Sequence, residues 1–131
     1  MFNREIEALL SIIALSIFAD KRVLSEEIKA FVESADLIQS KVYSDIVLSE
    51  TKLLLWFELN RVELQDKMSL GPVGFKRWFE DTVAELPVIS DKRFIMEIIG
   101  KISKADNEFH ISEKALGVML DRAFGKSSAA A

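Results

Sequence analysis

The chain has 131 residues, half of them hydrophobic, ample for one packed core in a single domain. Its 17 basic residues stand against 21 acidic ones, for a net charge of -4 and a pI near 5.1, and that balance argues against a nucleic-acid binder, which needs a basic face to neutralise phosphates. There is no cysteine, which excludes disulfides and thiol chemistry and fits a cytoplasmic location.

The spacing predicts a first helix over about Asn3 to Ala19, with Asn3 as its N-cap. Within it Ala8–Ala19, ALLSIIALSIFA, is interrupted only by Ser11 and Ser16. A membrane-spanning helix needs about 20 apolar residues, and a secretory signal wants a positive start, whereas Arg4 is followed by Glu5 and Glu7. The run therefore reads as a buried central helix, with no transmembrane segment. A second helix starts near Ser25, with Ile28, Phe31, Val32 and Ala35 on one stripe, and gives way to a polar break at Gln39–Lys41.

A long third helix is expected from about Tyr43 to Met68. Its apolar residues, Ile46, Val47, Leu53–Phe57, Leu59, Val62 and Leu64, cover an arc wide enough to imply contact on more than one side or an interruption. SLGPVG at Ser69–Gly74 reads as a loop, because glycine and proline oppose a helix there. A fourth helix over Phe75–Leu86 stops at Pro87. Its cluster Phe75-Lys76-Arg77-Trp78-Phe79 reads as a packed aromatic stripe with Lys76 and Arg77 on the wet side.

Ser90 suits the N-cap of a fifth helix, with Asp91 in its first turn and Phe94, Ile95, Ile98, Ile99 and Ile102 on one face. A sixth, after Ser112, carries Leu116, Met119, Leu120, Ala123 and Phe124, and Gly125 ends it. The tail after Gly125, KSSAAA, resembles vector-derived sequence and is expected to be disordered. The whole reads as an all-α bundle of six to seven helices, one domain over residues 1–125.

Two turns resemble each other. Phe18–Lys29 is FADKRVLSEEIK and Lys104–Ala115 is KADNEFHISEKA. With Asp20 set on Asp106, Ala19 matches Ala105, Val23 matches Phe109 and Glu27 matches Glu113, but the register drifts downstream and Glu26 is an alternative partner of Glu113. Upstream, Leu9, Ile12 and Ile13 match Ile95, Ile98 and Ile99. The repeat predicts that the helices flanking the two turns pack together about an approximate twofold.

The structural reading makes Asp a turn residue and Glu a partner of the helix dipole. The functional reading makes Asp20, Glu27, Asp106, Glu108 and Glu113 candidate ligands of a divalent cation, since calcium and magnesium prefer hard carboxylate oxygens. It is not an EF-hand: Ile111 stands where that loop needs glycine, and Gly117 where it needs its bidentate glutamate. His110, the single histidine, has no partner ligands of the usual kinds and reads as a turn or cap residue.

The stretches Ala19-Asp20-Lys21-Arg22-Val23 and Ala105-Asp106-Asn107-Glu108-Phe109, each followed by an acidic helix start, resemble the tellurite-resistance TerB family and the N-terminal region of DjlA-type co-chaperones. The resemblance implies an all-helical, non-catalytic module linked to stress response, with acidic residues that bind a metal. The chain departs from the pattern where glycine follows Asp, having Lys21 and Asn107 there. Lys21 and Arg22 disfavour a cation beside Asp20, so the second turn, with Asp106, Glu108 and Glu113, is the better candidate. The alternative is a helical adaptor that binds a protein partner, its acidic turns purely structural. An enzyme comes third, because two carboxylates can do acid–base work only in a pocket that raises one pKa.

Overall fold

The computed structural model describes residues 2–18, 25–41, 47–86, 92–103 and 117–124. Six helices run in the order α1 Arg4–Phe18, α2 Ser25–Glu33, α3 Ala35–Lys41, α4 Glu50–Met68, α5 Gly71–Ala84 and α6 Lys92–Ser103, and residues 117–124 are also helical. The described residues contain no strand, and the helices pack as an all-α bundle.

The first helix is central because its sequence is apolar almost all round. Ile6, Leu9, Leu10, Ile12, Ile13, Leu15 and Ile17 have no exposed surface, and α2, α4, α5 and α6 all pack on it. Asn3 starts it as expected, its Oδ1 accepting from the Ile6 amide at 2.9 Å. The buried Ser16 hydroxyl donates to the Ile13 carbonyl of its own helix at 2.7 Å, so no other element has to satisfy it. Helix α6 lays Phe94, Ile95, Ile98 and Ile99 into the core and packs against both α1 and α2. Both matched apolar stripes of the repeat are thus buried, in two helices, α1 and α6, that pack on each other. The start of the expected sixth helix, and with it a twofold relation, lies outside the described residues.

Three boundaries differ from the sequence reading, each for a local reason. The expected second helix breaks at Ser34, whose hydroxyl donates back to the Ala30 carbonyl at 2.9 Å, a bond that bends helices. α3 then begins anew. The long third helix does not reach back to Tyr43: residues 47–49 are non-helical, and α4 starts at Glu50. Ser49 is its N-cap, its Oγ accepting from the Lys52 amide at 3.2 Å, and the Gln39 side chain accepts from the Leu48 amide at 2.6 Å, seating Leu48 in the core. Ser49→Ala is expected to lower stability by about 1 kcal/mol, measured as a shift in the urea midpoint.

The SLGPVG stretch is mostly helix. Only Ser69 and Leu70 connect α4 to α5, with Gly71 at φ 86° making the corner and Pro72 in the first turn, where its missing amide hydrogen is no loss. Helix α5 therefore covers Gly71–Ala84 in place of Phe75–Leu86. Its aromatic stripe is as expected: Phe79 is buried, Phe75 and Trp78 pack on the core, and Lys76 and Arg77 are exposed.

No helix among the described residues is long and apolar enough to cross a membrane.

Candidate functional site

Of the five candidate cation ligands, the structure describes Glu27. Asp20, Asp106, Glu108 and Glu113 lie outside the described residues, as does His110. Glu27 stands in the first turn of α2 and is wholly buried. Its position explains this: Glu27 and Phe31 are spaced i, i+4, so the carboxylate lies on the side that α2 turns to the core. Glu26, its exposed neighbour, is the one set for a plain helix-start role. Burial of a carboxylate is costly unless charge or hydrogen bonding compensates it, which makes Glu27 a special position in either reading of the acidic turns. Among the described residues, no group of three or more His, Cys, Asp or Glu side chains is placed to hold a metal ion.

A polar cleft of about 300 Å³ opens between α1, α4 and α5, lined by Glu7, Ser11, Asn60, Glu63, Lys67 and Trp78 among others. At its rim Arg4 Nη2 donates to Glu85 Oε1 at 3.0 Å, an exposed ion pair worth little to stability. The half-buried Glu7 carboxylate accepts from Trp56 Nε1 at 3.2 Å, tying α1 to α4. The cleft mixes both signs of charge, and nothing in it selects one ligand chemistry.

The more distinctive surface is on α4. Its inner face buries Leu53, Trp56, Phe57 and Leu64. Its outer face carries Leu55, Leu59 and Val62, spaced i, i+4, i+7, with Leu59 and Val62 both 68% exposed and Leu55 49%. Leu54 is exposed beside them, and Leu70 and Val73 are exposed at the corner that follows. Isolated exposed leucines are ordinary, but a run of them along one ridge marks a contact surface. Comparison with known proteins finds no matching family model, no matching curated protein and no matching solved structure. The site therefore stands on its own geometry. The wide apolar arc in the sequence was the signal of this ridge, but the arc alone does not tell which of its two sides meets solvent.

Proposed function

We propose that this chain is a non-catalytic helical interaction module that docks a protein partner on the outer face of α4. The supporting observation is the exposed ridge Leu55–Leu59–Val62, set on a helix whose opposite face is fully anchored in the core. A rigid helix that presents i, i+4, i+7 apolar anchors is the usual donor in helix-to-groove and helix-to-helix recognition. A photo-crosslinking phenylalanine analogue placed at Leu59 is expected to give a discrete adduct in cells. The same analogue at the exposed Arg77 of α5 is expected to give none. Equal yields from the two positions, or none from either, would count against the docking face.

A second reading keeps the cation implied by the resemblance to the TerB family, and the burial of Glu27 favours it. Here calcium or magnesium sits among the acidic turns, and Glu27 contributes from the core side. Calorimetric titration with calcium, magnesium and zinc tests it. Asp106→Asn combined with Glu113→Gln is expected to abolish binding, because it removes two anionic ligands and nearly preserves shape. Unchanged affinity in that double variant rules the assignment out.

A further inference from the structure

We infer that the occupant of the α4 ridge is a second copy of this chain, paired antiparallel through a twofold axis at Leu59. The proposal rests on the docking reading above and adds the identity of the partner. Its basis is the order of side chains along the ridge: Lys52, Leu55, Leu59, Val62, Asp66, spaced three and four residues apart, so that all five share one face. An antiparallel twofold at Leu59 brings residue i of one helix against residue 118 - i of the other. Leu59 then meets Leu59 and Lys52 meets Asp66, while Leu55 falls level with Glu63, one residue from Val62. The ridge is complementary to itself in that orientation: apolar at the centre, and of opposite charge at its two ends. A parallel pair would set Lys52 on Lys52 and Asp66 on Asp66.

Lys52, Glu63 and Asp66 are all exposed, and neither Lys52 nor Asp66 forms an ion pair among the described residues. On the other edge, Glu58 comes within two residues of Glu58 of the second copy, a like-charge approach that weakens the pair. Size points the same way. Nineteen residues at about 1.5 Å each make a face roughly 28 Å long. Two such faces, each on the order of 10 Å wide, bury well under the ~1,200 Å² of a stable interface. The dimer is a weak one, formed at chain concentrations on the order of 0.1 to 1 mM.

Sedimentation equilibrium of the full chain over that range is the test. A monomer–dimer equilibrium is expected, and Leu59→Glu should abolish it while leaving the helical circular dichroism unchanged, because Leu59 is exposed. Lys52→Asp or Asp66→Lys alone should weaken association by about tenfold, and the two together should restore it. Restoration cannot come from a variant that misfolds or from a partner of different sequence. A chain that stays monomeric up to about 1 mM, a dimer indifferent to Leu59→Glu, or a double variant no better than its singles each overturns the proposal. The crosslinker at Leu59, used on the purified chain at about 1 mM as well as in cells, separates this failure from that of the docking reading. An adduct of twice the chain mass supports self-pairing. An adduct of another mass with a monomeric chain removes self-pairing and leaves the docking face in place, and no adduct removes both.

Discussion

Phe31→Ala is expected to remove a large share of the folding free energy, about 3–5 kcal/mol of the roughly 5–15 that a domain of this size holds. Phe31 is wholly buried in the last turn of α2, a helix that packs on α4. Its ring lies 6.2 Å from that of Trp56 and 5.9 Å from that of Phe57, both in tilted contact. Truncation deletes both ring contacts and leaves a cavity that α2 cannot close without moving, since its other side is held by α6. Urea unfolding followed by tryptophan emission measures the loss. A change under about 1 kcal/mol would mean that the cluster is far looser than its geometry implies.

Leu9→Asp is expected to prevent folding altogether, whereas the same substitution at Leu59 should alter stability by no more than about 0.5 kcal/mol. Leu9 has no exposed surface and sits on a helix packed by four others, so an aspartate there would bury an unpaired carboxylate as well as lose the leucine. Leu59 is 68% exposed, and its aspartate would remain in water. Circular dichroism and the cooperativity of thermal unfolding report both. A cooperative transition in Leu9→Asp would contradict the placement of α1 at the centre of the bundle.

The helices themselves were legible where periodicity and composition agreed. The apolar run of α1 had no side left to give to solvent, and Ile95, Ile98 and Ile99 could share only one face of α6. Boundaries set by single side-chain bonds were less legible. Ser34 looks helix-compatible until its hydroxyl is seen bonded to Ala30, and Gly71–Pro72 reads as a loop until the corner shrinks to Ser69–Leu70. At the candidate site, the burial of Glu27 follows from its i, i+4 spacing to Phe31, a relation hidden by reading it first as a capping residue. The α4 ridge was half legible. The sequence showed apolar residues all round, but which side was covered depended on where α1, α2 and α5 came to rest.

The two-residue corner between α4 and α5 also bears on the order in which the chain assembles. The cost of closing a loop rises with its length, and helices α4 and α5 pack on each other across Ser69 and Leu70 alone. The pairing of α1 with α6, by contrast, must bring together segments most of a chain apart. The α4–α5 hairpin is therefore, with α2–α3 joined across Ser34 alone, among the tertiary units able to form earliest, and the α1–α6 contact, with the longest loop to close, is expected to form later. In a chain still emerging from the ribosome, the part of α1 that meets α6 would wait uncovered until α6 had been made, even after α2, α4 and α5 had packed on the same helix.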